Sequence, residues 1–250
     1  MPKLDTLIIE RRYNGPPGSS NGGWAAGMLA RQLNAPSISV SLRAPPPLGV
    51  PLAVVRHDDG SVSLLHGSTS LAQAQAAGFE LEVPAAPDLA QAQAAGAREL
   101  SLGLGRPSWP YSHCFGCGAM RLDGMRITPG PTGTSGVVAA AWTPEASLLE
   151  QNPASPNDVR LEAVWAALDC PAGIAWSFAL PEMQPMVTAR IIACIDELPK
   201  IDETYIVMGW PIERDGRKLH AGSALVAPDG RVLAKTLQLW LLPKPAPEGL

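Results

Sequence analysis

The sequence is sparing with several residue patterns, and each shortage excludes a class of protein. There are four cysteines in 250 residues, too few for the disulfide framework of a small secreted scaffold. Charged residues make up 17% of the chain, the formal net charge is −4, and no run of Lys or Arg occurs. Nucleic acid or an anionic membrane therefore has no concentrated basic surface to meet. No apolar run approaches the roughly 20 residues that a membrane-spanning helix needs, and the opening Met1-Pro-Lys-Leu-Asp5 lacks a charged-then-apolar leader pattern. The expectation is a cytoplasmic protein with neither nucleic acid nor membrane as partner. Ser223, on an expected strand, does not sit in the Gly-x-Ser-x-Gly elbow of serine hydrolases, so it is no candidate nucleophile.

What is present is hydrophobic material, 46% of residues, which places the low charge in a globular rather than a disordered chain. The length suits two domains of roughly 100–150 residues and buries about 70–75% of the unfolded surface. Proline is abundant, with 26 residues, and it punctuates: Pro16-Pro17, Pro45-Pro46-Pro47, Pro84, Pro87, Pro107, Pro110 and onward. Between these stops lie short runs rich in Val, Ile and Leu that read as strands. Ile38–Leu42 alternates strictly, and Pro51–Val55 and Ser61–Leu65 flank an Asp59-Gly60 turn, a hairpin signal. In the second half Thr188–Ile195, Thr204–Met208, Lys218–Val226 and Val232–Leu241 form a meander. Many strands with few helices argue for an α+β fold rather than βαβ units. One octapeptide, Leu-Ala-Gln-Ala-Gln-Ala-Ala-Gly, occurs at 71–78 and again at 89–96. Its period-two alternation after a turn favours strand for the first copy; the second falls in an expected linker.

Two apolar helices are expected. Gly23–Leu33 carries one charge, Arg31, and follows a loop in which Asn21 stands where an N-cap belongs. Asp158–Leu168 is the other. Pro171 is awkward inside a helix but comfortable in a first turn, so Asp169 is expected to cap a further helix. Asn21 then aligns with Asp169, Pro47–Leu52 with Lys200–Tyr205, and Asp59-Gly60 with Asp215-Gly216. The drift in spacing between these matches is small, as for two copies of one domain, 1–105 and 106–250.

These residues resemble a known family. His113-Cys-Phe-Gly-Cys-Gly118 followed by Leu122–Ile127 is similar to the opening of many hotdog thioesterase domains. Asn21-Gly22-Gly23 resembles the Gly-Gly lead into the hotdog helix, and Leu42–Leu52 the strand pair with an Arg-Pro kink. Asp229–Gln238 resembles the last hairpin of two-domain acyl-CoA thioesterases. The resemblance implies two tandem hotdog domains, each an antiparallel sheet wrapped around a central helix, acting on acyl-CoA with no cofactor of their own. It also implies a homo-oligomer formed through a sheet edge. In that family an Asp by the second helix, a Thr on the next strand and a Gln on the last strand hold and activate water. Asp169 and Gln238 match the outer two. The Thr position falls at or near Cys194, a departure; Thr188 lies earlier on the same strand and is not substituted for it.

Thioester hydrolysis needs a base for water and donors for the carbonyl oxygen that becomes negative. Asp169 near Leu168, Ile174 and Trp176 is the expected base, with plain capping as the alternative. Asn21, Gly22, Gly23 and Cys170, at the expected helix starts, would offer backbone N–H groups to the oxyanion. One carboxylate for two helix starts implies one working site per pair of domains. Rival readings are an enoyl-CoA hydratase or dehydratase on the same fold, for which no His lies near Asp169, and a non-catalytic acyl-binding protein. Cys114-x-x-Cys117 with His113 supplies at most three metal ligands where zinc usually has four, and Cys170 and Cys194 fall in the expected core. The pair is accordingly read as a structural turn and no metal is assigned.

Overall fold

The computed structural model describes residues 5–102, 109, 111–134, 136–152 and 154–243. Their strands are β1 (Asp5–Ile8), β2 (Ser37–Leu42), β3 (Pro51–Arg56), β4 (Val62–His66), β5 (Thr69–Ala76), β6 (Gly130–Pro131), β7 (Val138–Trp142), β8 (Val187–Ile195), β9 (Tyr205–Asp215), β10 (Lys218–Val226) and β11 (Val232–Leu241). The α-helices are α1 (Gly22–Ala30), α2 (Leu89–Leu102) and α3 (Leu161–Ala179). All strands join one antiparallel sheet in the order β1-β3-β4-β5-β2-β8-β11-β10-β9-β7-β6. The order repeats from the seam outward: β2-β5-β4-β3-β1 on one side and β8-β11-β10-β9-β7 on the other, with α1 and α3 at corresponding places in the chain. The seam is the β2–β8 ladder, in which Val40 faces Ile191. The expected boundary near 105 falls outside the described residues.

The repeated octapeptide folds two ways. Its first copy follows the tight turn at Gly67 (φ 58) and becomes β5, hydrogen-bonded to β4 and β2. Its second copy opens α2. There Asp88 Oδ1 accepts from Gln91 N–H at 2.7 Å while Gln91 Oε1 accepts from Asp88 N–H at 3.0 Å. This reciprocal cap satisfies two of the donors a helix start leaves open, and the Ala/Gln sequence then follows its own helical propensity. Helix α2 lays Ala92 against Val137, Ala139, Met208 and Trp210 of the second half.

Helices α1 and α3 cross at close range inside the sheet. A Cβ at Gly27 would stand 2.7 Å from Glu162 Cα, and one at Gly23 would stand 2.8 Å from Ala166 Cα. Both lie well inside contact distance, so these two positions admit only glycine without movement of backbone. Where the crossing opens, Arg31 reaches Glu162 through two bonds of 2.6 and 2.8 Å and Glu150 through a third of 2.6 Å. Around it Trp24, Leu29, Trp165 and Leu168 are fully enclosed. Tyr13 stacks on Trp24 at 3.5 Å and Phe115 meets both edge-on. The 111–127 segment, expected in the second domain, thus closes over the start of α1 in the first. Phe115 N–H donates to Asn14 C=O at 2.7 Å.

Helix α3 corrects the expected break at Asp169. It runs unbroken through Pro171, which puts Asp169 in mid-helix. A proline there removes one N–H from the ladder and crowds the preceding turn. The sheet answers this beside the interruption: Leu168 C=O accepts from Ser223 Oγ at 2.6 Å and from Gln238 Nε2 at 2.7 Å. The alignment of Asn21 with Asp169 as equivalent caps fails with it, because the residue at the N-cap of α3 is Arg160.

Candidate active site

Helix α1 begins at Gly22 because Asn21 caps it: Asn21 Oδ1 accepts from Trp24 N–H at 2.8 Å and Asn21 C=O from Ala25 N–H at 3.1 Å. The remaining first-turn amides point to a different partner. Asp169, from the middle of the neighbouring helix, accepts Gly23 N–H on Oδ2 at 2.9 Å and the Asn21 side-chain amide on the same oxygen at 3.2 Å. Its other oxygen, Oδ1, accepts the Thr188 hydroxyl at 2.7 Å. Gly22 N–H is left without a protein acceptor among the described residues. Asp169 is 2% exposed. Burial pushes its pKa up to about 6, against the lowering effect of hydrogen bonds from Thr188, Gly23 and Asn21.

An ionised carboxylate has about four lone-pair sites. Oδ2 is filled by two donors and Oδ1 holds one, so a single acceptor site on Oδ1 stays open. Asp169 stands on the wall of a cavity. This cavity, of about 240 Å³, is lined by Asn21, Gly22, Asp169 and Thr188 together with apolar Leu42, Ile174, Met186 and Trp240. Arg43, exposed and bonded to Gln73, stands on its lining as well. No histidine lines it among the described residues.

The structure brings Asp169, Asn21, Gly22 and Gly23 together and adds Thr188, which sequence reasoning set aside; Cys170 lies beside them but in the middle of α3, where it starts no helix, and Gly23 N–H is taken by Asp169, so neither is the free oxyanion donor expected of it. It separates Cys194 and Gln238 from them. Cys194 is partly exposed toward the far end of β8, its Sγ 3.4 Å from Asp196 Oδ1. The strand makes the reason plain: Thr188 sits opposite Trp240 at the start of β8, whereas Cys194 sits opposite Lys235 near its end. Gln238 is enclosed under α3, donating to Leu168 C=O and Thr236 and accepting from Trp240 Nε1 at 2.9 Å. The signal for Thr188 lay in the break at Asp169. Once α3 is continuous, the strand following it must restart beside the helix's middle, and the first hydroxyl on that strand is Thr188.

Cys170 was not expected near Cys114 and Cys117, yet the three sulfurs lie within 4.8 Å of one another, with Cys114 Sγ 3.8 Å from Cys170 Sγ. Cys114 is held well below the usual thiol range by hydrogen bonds from Cys117 and Cys170 and from the backbone N–H groups of Cys117 and Gly116, against burial. The same sharing pushes Cys117 and Cys170 up. Asn21 Nδ2 also approaches Cys114 Sγ at 3.6 Å and Cys170 Sγ at 3.9 Å.

Sequence comparison finds no matching family profile and no matching curated protein. Comparison of structures finds hotdog proteins along nearly the whole chain. The tesB protein of Mycobacterium avium subspecies paratuberculosis superposes with a TM-score of 0.63 at 11% identity, over 97% of this chain and 96% of that one. An acyl-CoA thioesterase II, TesB2, from Mycobacterium marinum gives 0.60 at 13% identity, over 96% and 93%. A conserved protein of unknown function with a hot dog fold, from Alicyclobacillus acidocaldarius, gives 0.57 at 13%, over 96% and 93%. At these identities the likeness is one of fold. The chain has the α+β hotdog fold, and the motif resemblance and the structural likeness lead to that same architecture.

Proposed function

We propose that the chain is a tandem hotdog thioesterase that hydrolyses acyl-CoA to free acid and CoA. The observation that carries this reading is the unfilled acceptor site on Asp169 Oδ1, beside the Thr188 hydroxyl and a free helix-start amide, on the wall of an apolar cavity. A water held by Oδ1 gives its proton to Asp169 as its oxygen attacks the thioester carbonyl. Gly22 N–H, aided by the positive end of α1, receives the oxygen that becomes negative. When the tetrahedral adduct collapses, the C–S bond breaks and protonated Asp169 returns its proton to the leaving thiolate. Thr188 and Asn21 keep the carboxylate in one orientation while this happens. The apolar lining suits an acyl chain, and the guanidinium of Arg43 suits a phosphate of CoA. Pairing of a second copy along the exposed edge strand β1 would make the protein a homo-oligomer.

Incubation with acyl-CoAs of graded length, with a thiol reagent reporting free CoA, tests the activity. Turnover of at least one length is expected, and silence across the whole panel would leave an acyl-binding protein instead. The CoA portion is tested by Arg43→Ala, which should raise KM for the best acyl-CoA about 3- to 10-fold, the worth of one partly solvated charge-assisted bond. The same variant should leave KM unchanged for a thioester of a short neutral thiol. Equal effects on both substrates would remove Arg43 from CoA recognition.

A further inference from the structure

We infer that Cys114, Cys117 and Cys170 form a three-thiolate site for a zinc ion in the cavity wall beside Asp169. The inference does not depend on the thioesterase reading, since its measurements involve no substrate.

The sulfurs come from two parts of the chain, a loop and the middle of α3, and converge in space. Tetrahedral zinc with bonds of about 2.3 Å sets neighbouring sulfurs about 3.8 Å apart. Cys114 Sγ and Cys170 Sγ stand at 3.8 Å, and Cys117 completes a triangle with every side below 4.8 Å. The loop is built for close-set sulfurs. Gly118 N–H donates to Cys114 C=O at 2.8 Å, and a Cβ at 118 would stand 2.6 Å from Cys114 N. The turn therefore closes only with glycine after the second cysteine.

The Asn21 side-chain amide, which also donates to the neighbouring Asp169 carboxylate, approaches the sulfurs. Its Nδ2 stands 3.6 Å from Cys114 Sγ and 3.9 Å from Cys170 Sγ. Outer hydrogen bonds of this kind orient metal-bound ligands and offset their charge. Trp109 packs in the same cluster, and its Nε1 is the one buried side-chain polar atom without a partner among the described residues. An indole N–H so placed calls for an acceptor that a fourth ligand can supply. All three cysteines and Trp109 line the cavity, so a cation held here would present its fourth position to the cavity. That position would take water or a substrate atom, which is the pattern of zinc with three protein ligands and one exchangeable one. Soft thiolates select zinc over the hard cations magnesium and calcium.

The experiment is to titrate the reduced, metal-free full chain with zinc and with cobalt and to follow the cobalt spectrum. About one ion per chain is expected, with thiolate-to-cobalt charge transfer in the near ultraviolet and tetrahedral d–d bands in the visible. Zinc binding should release protons from the thiols. Cys114→Ser and Cys170→Ser should each weaken zinc by on the order of 100-fold or more, since losing a ligand costs more than losing an outer partner. Cys194→Ser, remote from the cluster, should bind as the parent does. If Cys170→Ser fails to fold, the cobalt spectrum of the parent and Cys114→Ser still decide. Absence of binding by the folded, reduced parent overturns the site. So does binding that survives Cys114→Ser, or a Cys114–Cys170 disulfide in metal-free protein isolated without reductant.

Discussion

Asp169 can be replaced in two ways that separate its place in the fold from its chemistry. In Asp169→Asn the side-chain oxygen can keep the position of Oδ2, accepting Gly23 N–H and the Asn21 amide. The new amide nitrogen then faces Thr188, whose hydroxyl turns from donor to acceptor. Every buried partner stays satisfied and a buried charge disappears, so stability should stay within about 1 kcal/mol of the parent. In Asp169→Ala the same three donors lose their acceptor. Each orphaned buried donor costs about 1–3 kcal/mol, and water from the cavity can relieve the Thr188 and Asn21 groups but not the enclosed Gly23 N–H. A loss of about 2–5 kcal/mol is expected, or roughly 5–15 °C in Tm for a chain of this size. Turnover, by contrast, should fall in both variants by about 100- to 10,000-fold, the worth of a positioned base. Thermal unfolding by circular dichroism and a coupled thiol assay measure the two quantities. Asparagine destabilising as much as alanine would refute the satisfaction argument. Near-parental turnover in asparagine would refute the role as base.

Other expectations follow from the packing. Arg31→Met removes the closest cation from Glu162, leaving Arg160 at 3.2 Å as its remaining charge partner among the described residues, and should cost about 3 kcal/mol in denaturant unfolding; a loss below 0.5 kcal/mol, the scale of an exposed pair, would contradict it. Burial pushes Glu162 up, and hydrogen bonds from Arg31 and the backbone with the charges of Arg31 and Arg160 bring it below the usual carboxylate range. A depressed folded pKa stabilises above the unfolded value of about 4.3 and ceases to do so as pH falls through the folded one. The stability gap between the parent and Glu162→Gln should therefore be constant from pH 7 to about pH 5 and shrink on further acidification, and a flat gap to pH 3 would count against the pairing. Gly27→Ala should cost about 1–3 kcal/mol by forcing α1 from α3, with no change in the far-ultraviolet spectrum. Gln238→Leu removes a donor from Leu168 C=O and should cost about 1–3 kcal/mol; unchanged stability with lost turnover would return Gln238 to the water.

The strands were legible because their signals are local. Alternation at Ile38–Leu42 and the Asp59-Gly60 turn need no distant partner to act, and β2 with the β3–β4 hairpin appear where they were expected. The Asp88–Gln91 capping box was equally local and was overlooked, so the second octapeptide passed for linker. The break at Asp169 misled for a tertiary reason. A proline in mid-helix is unfavourable on its own, and nothing near it in sequence announces that Ser223 and Gln238 will serve the adjoining carbonyl. The false equivalence of Asn21 with Asp169 came from that same error, whereas the threonine position near Cys194 was what the family resemblance implied. The cysteine cluster was hidden in the same way, since Cys170 shares a face with Cys114 only when α3 is continuous.

Capping and catalysis stood as alternatives for Asp169, and under the proposed function one geometry would serve both. The carboxylate does cap a helix, but it is α1, the neighbour of its own helix. Its acceptance of Gly23 N–H requires the helices to cross within reach, and the crossing requires glycine at 23 and 27. The residues that let the two halves approach therefore also aim the carboxylate, and they leave Gly22 N–H as an amide that no group among the described residues claims. A displacement of α1 by even an ångström would lengthen the Gly23 bond and turn Oδ1 away from the cavity together. Variants along the crossing should for this reason lose turnover in proportion to how far they loosen α1, with kcat falling before KM rises. A Gly27→Ala protein that is destabilised yet keeps its full kcat would show that the site is held by β8 and Thr188 alone.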